Sequence, residues 1–346
     1  MKPKYFLMAL FALALYFLYI LYKPFLMSII VASLLAISTS NIQSRFEALF
    51  RSKFLAATLS TILLLLMLFA PLSYTLTMLT ANVNNLDPQA IDTMFQKLIL
   101  FIDNTPPILE PVKQYAHSYL DELSVSNMAS NALTIAGKVG IYSASFVKSS
   151  FLIIIFYFFA QYYGRAISGF LKRVIQLQKQ DATLLGFEIT SVMSVVFYSI
   201  IVTAIFEGAL FGIAISFMGY DGLLYGIIYG FASLIPVIGG ALMWIPFVLY
   251  EFTQGNIESA IFIALYSIVV ISIIADTFVK PMIIKYINTK MASIDAKLNE
   301  MIIFFAIIAG LTTFGFWGMI IGPAITAFFL SLLKIVELHQ RKKELD

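Results

Sequence analysis

Six apolar runs, each long enough or nearly long enough to cross a bilayer, constrain this chain more than any other feature: residues 5–22, 24–40, 54–79, 146–163, 194–217 and 257–277. A helix of about 20 apolar residues matches a hydrocarbon core of about 30 Å. Inside that core no water pairs with free backbone groups, so a crossing segment satisfies its own backbone. Composition agrees: 60% of residues are hydrophobic and 12% charged, against roughly half and a quarter in soluble domains. The chain therefore reads as an all-α integral membrane protein whose first partner is the lipid bilayer. With no cysteine and two distant histidines, His117 and His339, it offers no disulfide, thiol nucleophile or clustered metal ligands. There is no phosphate-cradling GxxxxGK[ST] loop and no Ser/His/Asp set. We expect no enzyme, no cofactor and, at a net charge of +3, no nucleic-acid partner.

Lysine and arginine orient the runs. Lys2 and Lys4 precede the first, and Arg45, Arg51 and Lys53 follow the second. Further groups are Arg165, Lys172, Arg173 and Lys179, then Lys280, Lys285, Lys290 and Lys297, and last Lys334, Arg341, Lys342 and Lys343. If the spans alternate, all of these lie on one side, which the positive-inside bias makes the cytoplasm; both termini are expected there. The first run has no small-residue cleavage site after it and is read as a retained span rather than a leader. Residues 80–145 differ in character, with acidic residues and helical apolar spacing broken by "NTPP", and read as an amphipathic helical insert outside the membrane. The expected organisation is 1–79 N-terminal spans, 80–145 insert, 146–193 span and linker helix, 194–335 transport core, and 336–346 basic tail.

No cation lies between Lys179 and Lys280, yet both flanks read as inside, so an even number of crossings separates them. Runs 194–217 and 257–277 supply two. The block between them splits into apolar halves, 222–235 and 241–252, around "PVIGG". At about 1.5 Å per residue each half reaches roughly 20 Å, too short to cross. A re-entrant hairpin fits, its broken tip lining a site. Residues 299–335 split the same way around "FGFWG", entering from the other side. A span plus hairpin, repeated in opposite orientation, is an inverted repeat of the kind that marks a transporter's binding site. The competing reading is kinked helices, with Gly208/Gly212, Gly226/Gly230 and Gly318/Gly322 serving only close packing.

"FASLIPVIGGALMWIP", "ADTFVKPMII" and "GLTTFGFWGMIIGPAITAF" resemble signature stretches of the autoinducer-2 exporter (AI-2E) family of bacterial inner-membrane transporters. The resemblance implies export of the autoinducer-2 signal or, as in some members, extrusion of sodium or lithium in exchange for protons. It also implies a homo-oligomer with elevator-like hairpins. Carried over by position, it marks Pro236, Gly239 and Gly240 at the first tip. Asp276, Lys280 and Pro281 follow before the cytoplasmic connection, and Gly310, Gly315, Gly318, Gly322 and Pro323 surround the second tip. The chain departs from the family where the second hairpin begins: Asn299 and Glu300 stand in "KLNEMIIFF", where members often carry proline.

Among residues that can carry chemistry, Glu207 lies deep in "SIIVTAIFEGALFGIAISF". An unpaired carboxylate at that depth is costly, so it faces protein or water, and it suits proton exchange near neutral pH. The plainer reading is a neutral acid bonded to a neighbouring helix. Asp276 and Lys280, four apart, share a face if the helix continues; they read as a gate or as an interfacial salt bridge. Ser233, Thr312 and Thr313 can bind a polyhydroxylated ligand or merely satisfy freed backbone, and Trp244 and Trp317 flank the two tips. Together these features describe a secondary transporter that exports a small polar solute by alternating access with proton coupling. A Na⁺(Li⁺)/H⁺ antiporter and an oligomeric channel gated by the hairpins remain the alternatives.

Overall fold

A computed structural model describes residues 3–83, 96–97, 99–100, 102–103, 125–174, 179–233, 239–291 and 300–345. Among these residues every regular element is helical. Six stretches are long and apolar enough to cross a membrane: Tyr5–Ser38, Lys53–Thr75, Phe146–Phe170, Ile189–Ser216, Ile257–Ile283 and Met301–Glu337. Their number matches the sequence expectation, but their partition does not. Runs 5–22 and 24–40 form one nearly continuous rod, because α1 (Pro3–Tyr22) passes through a single 3₁₀ turn, Lys23–Phe25, into α2 (Leu26–Ser38). Pro24 occupies the first turn, where its missing N–H costs nothing, so it bends the path without reversing it. Residues 301–337, expected as a hairpin, count among the six by length and composition but are broken at Gly315–Trp317 into two helices.

The chain forms two compact units. The first comprises residues 1–65, 148–197 and 291–346. Here α1 is exposed from Tyr5 to Phe25 on all sides, as a helix surrounded by hydrocarbon would be. α2 buries Ser28, Val31, Ala32, Leu35 and Ala36, one helical stripe, and packs on α13 (Gly318–Leu345). α3 (Ser40–Phe50) closes at Arg51, whose φ of 51° is left-handed, and Ser52 caps α4 (Lys53–Leu64) by accepting from the Leu55 N–H. α6 (Val125–Val174) contributes Tyr157 and Gln161 to a buried polar knot. Thr39 Oγ1 lies 2.6 Å from Tyr157 Oη, and the Gln161 amide donates to both at 2.9 Å.

Buried hydroxyls and amides are tolerated because they satisfy one another. Tyr157→Phe is expected to lower stability by about 1–3 kcal/mol, because it removes the buried hydroxyl that bonds both Thr39 and Gln161. Arg165→Ala should cost under about 1 kcal/mol: its 2.7 Å bridge to Glu47 is made by a side chain that is 65% exposed. Thermal unfolding in detergent compares the two; equal midpoints would contradict the buried network.

α12 (Glu300–Phe314) runs back along α13 through a 3₁₀ turn, Gly315–Trp317. A Cβ added at Gly310 would meet the Gly318 carbonyl oxygen at 2.0 Å, and one at Gly322 would meet that of Ala306 at 1.9 Å. Four residues back on one helix match four forward on the other, the register of an antiparallel pair. Pro323 is buried inside α13.

The second unit comprises 66–147 and 198–290. It holds α5 (Ala70–Val83), which follows a π turn at Leu65–Phe69, and the latter part of α7 (Lys179–Ser216). α8 (Gly222–Ala232), α9 (Gly239–Thr253) and α10 (Ile257–Leu265) come next. The chain then continues through a 14-residue π-helix, Tyr266–Val279, into α11 (Lys280–Met291). α7 and α8 are antiparallel and meet backbone to backbone, with Gly208 against Gly226, Gly212 against Gly222 and Gly230 against Ala204. Phe211, Ile215, Tyr229, Ile263, Ile271 and Ala275 form the core, with Trp244 packed against it.

Candidate functional site

The two buried acids among the described residues, Glu207 and Glu251, both lie in the second unit. Glu207 sits on α7, one residue before the glycine that seats α8, and is 2% exposed. The Lys280 ammonium reaches it from the junction between the π-helix and α11, donating to Oε1 at 3.2 Å. The Lys280 side chain is 35% exposed, that of Glu207 3%. The acid is thus sealed in protein while its cation keeps contact with the surroundings, an asymmetry that a long, flexible ammonium stem permits.

The π-helix matters to this geometry. Its i→i+5 hydrogen bonds place residues differently around the axis than an α-helix does, and such segments concentrate at functional sites. Asp276 lies on it, but its side chain is outside the described residues, so the anticipated Asp276–Lys280 pairing is not described. One described partner of the cation, Glu207, lies 73 positions away.

The remaining candidates divide by role. Ser233 caps α8 and donates to the Gly230 carbonyl at 3.0 Å. Thr312 donates to Ala309 at 2.9 Å and Ile308 at 3.2 Å. Both hydroxyls thus serve local backbone, and Thr313 is exposed. Gly239 opens α9 so tightly against α8 that a Cβ would fall 1.8 Å from the Ala232 carbonyl oxygen; at Gly240 the Tyr229 hydroxyl would be 2.6 Å away. Pro236 and Asn299 lie outside the described residues, as does the Glu300 side chain at the start of α12. Gly315 has φ +65° at the turn and open space around it, whereas Gly318 and Gly322 form the seam with α12. Trp317 is buried in that turn.

Glu251 was not anticipated. It sits at the end of α9, where "YEFTQGN" reads as a solvated helix terminus, yet it is 4% exposed. Tyr220 Oη donates to its Oε1, and Asn256 Nδ2 donates to Oε2 at 2.9 Å. A groove of about 470 Å³ runs along another side of α7, lined by Ile205, Gly208, Gly212, Ile213, Leu223 and Gly226 among others. Its described lining carries no charged side chain, so the polar chemistry of this unit lies at the two acids instead.

Comparison with known proteins agrees with a transport role. A family model described as AI-2E family transporter matches residues 5–337. A protein of Helicobacter pylori (strain ATCC 700392 / 26695), titled "Putative transport protein", is 34% identical over 337 residues, covering 97% of each chain. Its counterpart in H. pylori strain J99 is 32% identical, over 99% of this chain and 98% of its own. One from Aquifex aeolicus with the same title is 25% identical over 73% of this chain and 71% of its own.

Proposed function

The chain belongs to the AI-2E transporter family, and from that premise we propose a secondary transporter that exports a small polar solute by alternating access coupled to protons. The observation that carries this reading is the sealed Glu207–Lys280 pair. A buried carboxylate whose countercharge can withdraw toward solvent is a two-state element, and a proton arriving on Glu207 biases it toward the withdrawn state. The solute is a polar signal of the autoinducer-2 kind. An alkali cation is the competing cargo, because Na⁺ or Li⁺ can neutralise the same carboxylate.

In this reading α8 with α9 and α12 with α13 are re-entrant hairpins of an inverted repeat. The antiparallel pairing of α12 with α13 and the tight start of α9 support it. Asp276, Asn299 and Glu300 belong to the solute or ion path. The protein is a homo-oligomer of the bacterial inner membrane.

Proteoliposomes with an interior pH dye test the coupling. Na⁺, Li⁺ and autoinducer-2 are offered in turn, with and without an imposed proton gradient. One of them is expected to move protons in the opposite direction and to accumulate against its own gradient. Flux that only equilibrates, whatever the proton gradient, would instead identify a channel.

A further inference from the structure

Glu251 is stabilised quite differently from Glu207. No cation touches its carboxylate among the described residues: its hydrogen bonds come from a phenol and an amide. Tyr220 belongs to the turn between α7 and α8, and Asn256 precedes α10. Three segments therefore converge on one acid at the end of the α8–α9 pair away from the Pro-Gly break. A fourth arrives beside it, since Lys97, from the segment between α5 and α6, donates to the Thr253 carbonyl two residues on.

Glu251 is thus held by hydrogen bonds from neutral groups, where Glu207 is held by an ammonium. The site also has the right chemistry for both protonation states. With Glu251 charged, Tyr220 and Asn256 both donate to it. With Glu251 protonated, its O–H donates to Tyr220 Oη, the half-buried phenol turns its own hydrogen away, and Asn256 still donates to the other oxygen. Neither state strands a buried polar atom. An alkali cation is poorly matched, because the Asn256 amide hydrogens and the neighbouring Lys97 ammonium would oppose it.

We propose that Glu251, Tyr220 and Asn256 form a second proton-binding site, beside the contact of Lys97 with the Thr253 carbonyl. It rests on the proton-coupled reading above and adds an acid at the opposite end of the same helical pair from the break. The other titratable groups nearby are accounted for. Burial first, and then the bond to and charge of Glu251, push the Tyr220 hydroxyl far above the usual tyrosine range, so it remains a donor; Tyr250 and Tyr225 add to this. Asp221 caps α8 through the Leu224 N–H at 3.0 Å, and Glu258 lies in the first turn of α10.

Infrared difference spectroscopy of the full-length protein in vesicles, acidified without solute or gradient, tests the site directly. The wild type should develop a protonated-carboxyl carbonyl band. Glu251→Gln should lose the area of one carboxyl group from it, whereas Glu207→Gln should retain that component. Tyr220→Phe keeps the acid but removes a hydrogen-bond partner, so the component should persist at a shifted frequency; this covers the case in which Glu251→Gln does not assemble. Spectra of wild type and Glu251→Gln that superimpose, or an unshifted band in Tyr220→Phe, would overturn the proposal. Because no flux is read, the second site can fail while coupled transport stands, and the reverse.

Discussion

Glu207→Gln should abolish gradient-driven flux and destabilise the protein, while adding Lys280→Met should restore stability without restoring flux. Glutamine keeps the size of the side chain but leaves Lys280 a partly buried cation facing a neutral amide. Removing one partner of a fully buried pair costs about 3–5 kcal/mol. Lys280 retains an outlet, its side chain being 35% exposed, so a loss of about 1–3 kcal/mol is expected here. Lys280→Met replaces the ammonium with an apolar chain of similar length, and the double variant should recover most of that loss. Coupled flux should fall about a hundredfold or more in both, equivalent to about 2.7 kcal/mol of lost barrier reduction. Thermal unfolding in detergent and dye-monitored flux separate the two effects, and the double-mutant cycle isolates the pair. Proton-coupled flux in the double variant would remove Glu207 from the mechanism. Wild-type stability in Glu207→Gln would mean that the lysine is solvated whether or not the acid is charged.

The second large effect lies in the glycine seam of α12 and α13. Gly318→Ala would bring a methyl carbon to 1.8 Å from the Gly310 carbonyl oxygen. Overpacking in a core costs about 1–3 kcal/mol when side chains can adjust. Here the obstacle is backbone, so the helices must part along their whole contact, and a loss of about 3 kcal/mol or more is expected. Gly164→Ala and Gly169→Ala provide the control. Both positions lie within α6 with nothing inside 4 Å of an added Cβ, and alanine there should raise stability by up to about 1 kcal/mol through helix propensity. The same substitution should thus move the unfolding midpoint in opposite directions at the two places. If Gly318→Ala were neutral, the close approach of α12 and α13 would be incorrect.

What could be read from the sequence was whatever repeats locally. Apolar runs gave the all-helical class and the number of long stretches, and the GxxxG spacing at Gly208/Gly212 and Gly226/Gly230 pointed to close packing, now seen as the α7–α8 seam. The depth of Glu207 within its run gave its burial. Its partner was not legible, because Lys280 is 73 positions away and spacing reports only neighbours on one helix. The i, i+4 pairing of Asp276 with Lys280 lies outside the described residues, since the Asp276 side chain is not among them. Glu251 escaped notice for a related reason. A polar residue near the end of an apolar half normally marks the exit to water, and only the fold brings Tyr220 and Asn256 over it. The Thr39–Tyr157–Gln161 knot likewise joins two residues one turn apart on α6 to Thr39, 118 positions before Tyr157.

The antiparallel register also limits how this chain can change in length. Gly310 faces Gly318, and Ala306 faces Gly322, in steps that mirror each other about the Gly315–Trp317 turn. Adding or deleting a residue in the turn would leave the spacing within each helix intact, whereas a change just beyond Gly322 would rotate the buried Ala324, Ala327 and Ser331 out of place. One residue gained between Ala306 and Gly310 would set a bulkier neighbour against every backbone contact on one side of the insertion at once. This pair of helices can therefore change length at its bend, but not along the seam, whatever composition the new residue brings.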